Sequence, residues 1–130
     1  DNNVQVSGYY DNNMAQEVFN LTNQERANNG LPAYSWDSNM ASYSDRRAKE
    51  IVTDYSHNSA GGNWSVGENI AEGETSASEV VNDWMNSAGH KANILSDVST
   101  KISVSCYVEK FTYADGSTQY LYHWVQNFTH

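Results

Sequence analysis

The last third of this chain leaves the fewest options for a fold. From Lys101 to Lys110 the residues alternate, with Ile102, Val104, Cys106 and Val108 on one side. From Gln119 to Thr129, Tyr120, Tyr122, Trp124 and Phe128 face one way, and Leu121 and Val125 face the other. A period of two is that of a strand. Asp115-Gly116 between the two runs is a strong turn signal, so the pattern predicts an antiparallel hairpin. A strand that is apolar on both faces has to be covered on both, which places the hairpin inside a layered arrangement with helices above and below.

The rest of the chain supplies those helices. Asp1 to Asn13 is polar and carries Gly8 and two Asn pairs, and residues 1–12 are read as an extended or poorly ordered lead-in to a single domain, 13–130. Met14, Val18, Leu21 and the alkyl part of Glu25 keep helical spacing, predicting a first helix from about Asn13 to Asn28. Asn12 or Asn13 would cap it and Asn29-Gly30 would end it. Leu31 to Trp36 reads as a connector. Asp37 reads as the cap of a second helix, whose inner face is Met40, Ala41, Ser44, Ala48, Ile51 and Val52, ending near Tyr55. Asn58 to Ser65 is a loop, and Gly67 to Glu74 is too short and polar for a long element. Ser76 and Glu79 have capping-box spacing at the start of a third helix that runs to Met85, and Ser87 can cap a short fourth through Leu95. Helices first and strands last predict an α+β fold, a short antiparallel sheet in a three-layer sandwich.

Composition excludes several functions. The chain has 130 residues, 7 basic against 16 acidic, and a formal net charge of −9, a balance that repels phosphate backbones and argues against nucleic-acid binding. No apolar run has the length of a transmembrane segment. Its one cysteine, Cys106, can form no disulfide within the chain, and in its apolar row it reads as a small core residue. The chain starts at Asp1 without a signal-peptide pattern, as a processed secreted protein or a trimmed one would. Few lysines and many Asn, Ser and Tyr suit an extracellular bacterial protein. Asn20, Asn63 and Asn127 begin Asn-x-Ser/Thr triplets, which matter only on a eukaryotic secretory route.

Chemistry concentrates between Ser56 and Leu95. His57 follows the second helix, whose C-terminal partial charge favours a cation there. His90 lies on the first turn of the fourth helix. Neutral imidazoles suit a borderline divalent metal, and Glu68 or Glu79 could complete a shell or orient a water. Glu79 has an alternative reading as the capping acid of Ser76, and Glu68 as a partner for buried backbone donors. His123 reads as a partly exposed strand histidine. No Gly-x-Ser-x-Gly elbow is present, so a serine hydrolase finds no support.

Five stretches, in order, resemble the CAP superfamily, which groups cysteine-rich secretory proteins, antigen 5 and plant pathogenesis-related proteins. They are Asn23 to Asp37, Ser56-His57, Gly67-Glu68-Asn69-Ile70, Trp84 to His90, and His123 to Phe128. The chain is similar to the bacterial branch, which lacks the disulfides of eukaryotic members. It departs from many relatives at Ser103-Val104-Ser105-Cys106, where they carry a glycine-rich strand. The resemblance implies an α-β-α sandwich and a cleft lined by His57, Glu68, Glu79 and His90, in which the two His can hold a divalent ion such as zinc. Three functions follow as expectations. The first is a secreted binding or interaction module for a protein, peptide or lipid ligand. The second is a metal-assisted hydrolase in which Glu68 or Glu79 activates water, and the third is sterol or lipid binding. Gln in place of either glutamate is expected to fold.

Overall fold

The computed structural model describes residues 3–130, so Asp1 and Asn2 of the expected lead-in lie outside the described residues. The lead-in is extended: Gln5–Tyr10 form strand β1. Helix α1 spans Asn12–Asn28, β2 is the short Ser35–Trp36, and a 3-10 turn over Ser38–Met40 leads into α2, Ala41–Thr53. Strand β3 is Gly67–Glu72, α3 is Ala77–Met85, α4 is Ala88–Ile94, and β4 (Lys101–Thr112) and β5 (Thr118–Thr129) close the chain.

The two last strands pair antiparallel from Lys101↔Thr129 to Thr112↔Thr118, as their alternation predicts. The turn between them needs a residue at positive φ, and Gly116 supplies it at 86°. Its N–H reaches the Tyr113 carbonyl (2.9 Å), and the Asp115 carboxylate accepts from the Ser117 N–H (2.9 Å). The sheet order is β1-β4-β5-β3. β1 and β3 join antiparallel at the two flanks, and β2 adds a short parallel pairing to β4.

Both faces of β5 are covered. On one face, Trp124 and Phe128 of β5 meet Ala15 and Val18 of α1, Val80 and Trp84 of α3, and Ile94 of α4 in the main apolar core. On the other, Val125 and Ile70 meet Ala48 and Ile51 of α2. This is the α+β sandwich read from the sequence, and burying these faces is what holds its layers together.

Local details differ from the spacing argument. Asp11, not Asn12 or Asn13, caps α1, its carboxylate accepting from the Met14 N–H (3.0 Å). Asp37 caps the 3-10 turn rather than α2 directly. The buried stripe of α1 is Ala15, Val18, Thr22 and Arg26, about one position round from the predicted face. Arg26 is drawn inward because its guanidinium donates to the carbonyls of Pro32 (2.7 Å), Ile94 (2.9 Å) and Ser96 (2.8 Å) and stacks on the Tyr34 ring. The fully buried residues of α2 include Arg47, which an amphipathic reading leaves in water. His123 is corrected too. It is 1% exposed: its Nε2 meets Glu109 Oε1 at 2.8 Å in a hydrogen bond that replaces water, while its Nδ1 lies 3.1 Å from Glu72 Oε1 without hydrogen-bond geometry.

Candidate functional site

Glu68 is the centre of the cleft at the start of β3. Its place there follows from strand geometry: Ile70 turns into the sheet's α2 face, so Glu68, two residues earlier, turns to the same side, beside Asn127 of β5 in register. Arg47 meets it from α2 with a two-pronged contact, Nε to Oε2 and Nη2 to Oε1, both 2.8 Å. Asn127 Nδ2 donates to Oε2 (2.9 Å) and His57 Nδ1 lies 2.9 Å from Oε1. Burial alone would push the Glu68 carboxyl up, but the hydrogen bonds from Arg47, His57 and Asn127 together hold it below the usual carboxylate range. Arg47 is itself fully buried and is held above its ordinary value, first by those bonds to Glu68. Its remaining donors go to Glu50 (2.8 Å) and to the carbonyls of Ser56 (2.6 Å) and Asn58 (2.8 Å), which tie down the loop that carries His57.

This arrangement sets the tautomer of His57. A carboxylate only accepts, so Nδ1 carries the proton toward Glu68 and the neutral ring turns Nε2 outward with its lone pair free. The imidazole is 59% exposed. His90 is positioned from the other side by an amide network. Asn69 Nδ2 donates to the His90 carbonyl (3.1 Å) and to Gln126 (3.1 Å), Asn93 Nδ2 donates to Asn69 Oδ1 (2.9 Å), and Gln126 Nε2 reaches Thr22 (2.7 Å). The half-buried His90 ring is held below its usual pKa by burial and then by the charge of His57 nearby. The structure thus places His57 and Glu68 in one cleft, with the His90 ring within electrostatic range of His57.

Glu79 makes different contacts. Its carboxylate accepts from the Thr75 N–H (3.0 Å), and the Ser76 hydroxyl accepts from the Glu79 N–H (3.1 Å), which is the capping arrangement at the start of α3, displaced by one residue on the return bond. Among the described residues, no three His, Cys, Asp or Glu side chains form a group able to hold a metal. The donor set open to an ion is therefore the imidazole pair, because both Glu68 oxygens are already engaged. Glu68 holds His57 Nδ1 at 2.9 Å, the kind of contact by which a carboxylate can orient a histidine toward an ion.

The cleft beside His57 has a volume of about 280 Å³ and is lined by Tyr43, Asn63, Ser65 and Gly67 together with His57 and Glu68. Trp64 stacks on Tyr43 (5.5 Å, 6°), and the Arg46 guanidinium lies over both rings. Sequence reading missed Arg47 and Asn127. The available signal was an arginine set between Ser44 and Ala48 on an otherwise inward face, which marks a buried ion pair. Ser103 and Ser105, the departure on β4, are accounted for: the Ser103 hydroxyl pairs with Ser44, and Ser105 donates to Asp45 (2.6 Å). Cys106 is buried and its thiol is pushed up to about 12 by burial, so it belongs to the core as its row suggested.

Comparison with known proteins agrees with this architecture. Residues 19–128 match the CAP family profile, described as the cysteine-rich secretory protein family. The protein YkwD of Bacillus subtilis is 32% identical, over 72% of this chain and 42% of its own length. A secreted protein of Candida albicans, RBT4, is 29% identical over 64% of this chain and 23% of its own. The chain therefore spans less than half the length of these curated relatives. Among solved structures, an extracellular protein of Bacillus anthracis containing an SCP domain superposes with a TM-score of 0.70 at 26% identity, covering 91% of this chain and 40% of that one. An outer surface protein of Borrelia burgdorferi shares the fold at a TM-score of 0.70 and 16% identity, over 95% and 98% of the two chains. Among the described residues no helix is long and apolar enough to cross a membrane. The matched family profile covers the domain from within α1 almost to the end of β5, and on that ground the chain belongs to the CAP (cysteine-rich secretory protein) family, in company with its bacterial members.

Proposed function

We propose that this chain is an extracellular binding module whose cleft takes up a divalent ion such as zinc on His57 and His90, and that it is not a hydrolase. The observation that carries the reading is the saturation of Glu68, whose two oxygens accept from Arg47, Asn127 and His57. A general base needs a lone pair facing the water it activates and a pKa near the working pH. Glu68 is turned the other way on both counts, toward holding His57 in the tautomer that offers Nε2 to an ion. Such an ion would supply Lewis acidity and open positions for a ligand, since two imidazoles leave its shell incomplete. The secreted and extracellular character of the relatives supports the location.

Calorimetry tests this directly. Zinc is expected to bind weakly near neutral pH and to be released in acid as the imidazoles protonate. The His57→Ala, His90→Ala double variant is expected to lose the site. Unchanged zinc uptake by that variant would refute the assignment, and a peptidase or esterase activity lost on removing either histidine would replace it with the hydrolase reading.

A further inference from the structure

Among the described residues, the sheet contains a strand position that no other strand fills. β3 pairs with β5 only from Gly67↔Phe128 to Glu72↔His123. Beyond that, Gly73 donates to the Tyr122 carbonyl (2.9 Å) and, at φ 104°, turns the chain away. β5 extends back to Thr118, paired with β4 on one side, and among the described residues no strand lies along the other side of residues 118–121. Main-chain groups of a strand point to alternate sides. The carbonyls of Tyr122 and Phe128 both point toward β3, to Gly73 and Val66. Those of Tyr120 and Thr118, at the same parity, therefore point with their N–H groups to the open side.

This open edge borders a groove of about 730 Å³ with aromatic walls from Phe111, Tyr113, Tyr120 and Tyr122. The walls are fixed in place. The Tyr113 hydroxyl donates to Gln119 (2.7 Å), and Tyr122 stacks on the buried Trp124 (5.9 Å, 16°). Tyr120 is 46% exposed. An unpaired edge beside an aromatic groove fits strand addition, where main-chain bonds give affinity and the neighbouring surface selects side chains.

The charge at one end selects the guest. Thr75 lines the groove where β3 leaves off, and its N–H donates to the Glu79 carboxylate (3.0 Å). Glu74, Asp83 and Glu79 are close enough to act on one another electrostatically, Glu72 immediately precedes the turn, and residues 72–85 contain no lysine or arginine. A guest that continues the line of β3, antiparallel to β5, would bring its N-terminal end to these carboxylates. The −9 charge of the chain would steer a cationic partner toward them.

We propose that the open edge of β5 is a strand-addition site for an extended peptide segment of a partner protein, antiparallel to β5, with apolar side chains at alternate positions and a Lys or Arg at its N-terminal end. The site lies at the opposite end of β3 from the His57–Glu68 cleft and is independent of metal.

Fluorescence anisotropy with a labelled peptide, Lys-Val-Thr-Val-Ser-Val, tests it on the whole chain, with and without a chelator. Binding is expected in roughly the micromolar range, unaffected by chelation. Replacing the leading Lys by Glu, or methylating the peptide amides that would face β5, is expected to weaken binding by roughly tenfold or more. On the protein, Thr118→Pro removes one outward N–H without touching the β4 ladder, and Tyr120→Thr removes a wall while keeping strand preference. Both are expected to lose affinity with the urea midpoint of Tyr120→Thr close to that of the parent. The proposal is overturned if the parent peptide fails to bind, whether or not the chain dimerises through this edge in sedimentation, or if the N-methylated peptide binds as well as its parent.

Discussion

Arg47 and Glu68 show how much of the cleft is settled by one pair of side chains. Both are withdrawn from water, and both have every charged donor or acceptor engaged, so the pair holds α2, the 56–58 loop and β3 together. Breaking such a pair strands a buried charge, which typically costs about 3–5 kcal/mol. Glu68→Gln, expected from the sequence to fold, is therefore expected to do so with a loss of stability on that scale in urea denaturation at neutral pH. It should also free the His57 ring, visible as a change in its NMR tautomer signals. A loss within experimental error would mean that the guanidinium finds other partners.

Among the elements, α3 carries the clearest local signature. Ser76 and Glu79 were legible because a capping box is a pattern of side chain against nearby backbone, and three residues of spacing suffice to write it. The structure moves only the return bond, from the N–H of Ser76 to that of Thr75. Ser76→Ala is accordingly expected to cost about 1 kcal/mol, whereas Glu79→Gln, whose amide oxygen can still accept from Thr75, is expected to leave the thermal midpoint nearly unchanged. If Glu79→Gln instead costs as much as Ser76→Ala, the charge of Glu79 and not its hydrogen bond is what matters there. α4 and α1 show the complementary lesson, since their polar residues Asn93 and Thr22 were unremarkable in sequence and are tied to the Asn69–Gln126 amide network across the sheet.

For the molecule as a whole, two carboxyls whose pKa values shift in opposite directions shape the stability profile. Glu68 is held below its ordinary pKa of 4.5, so its contribution is present above that value and is lost as pH falls through the depressed one. Glu74 is the reverse. Burial first, and then its hydrogen bond to Asp83 and the charges of Asp83 and Glu79, raise it to about 7. The folded state therefore holds a proton that the unfolded chain gives up, and stability falls as pH rises from about 4.5 to about 7. The chain is expected to be most resistant to heat in the mildly acidic range between these limits. Glu74→Gln, neutral throughout, should flatten the neutral side of a melting-temperature profile and leave the acid side in place. A profile unchanged by that substitution would show that Glu74 is ionised in the folded state.

The sequence by itself determined the elements whose cause is local or periodic. The β4–β5 hairpin and its Asp115-Gly116 turn follow from alternation and from a glycine's freedom at positive φ, and the two-sided covering of β5 follows from apolar residues at both parities. The cap of α3 follows from short-range hydrogen bonding, and the end of α1 at Asn29-Gly30 from a glycine's freedom at positive φ, whereas the starting caps of α1 and α2 fell elsewhere than the spacing suggested. His57, Glu68 and His90 could be named because their surrounding motifs resemble a family. Tertiary structure decided what these residues do. That Arg47 lies inside, that Asn127 and Asn69 are amide anchors, that His123 is sealed between Glu72 and Glu109, and that β3 stops short of β5's beginning all depend on partners distant in the chain. Burying a charge or an amide is unfavourable in isolation and becomes favourable only when the fold delivers its partner, a condition that no local spacing expresses.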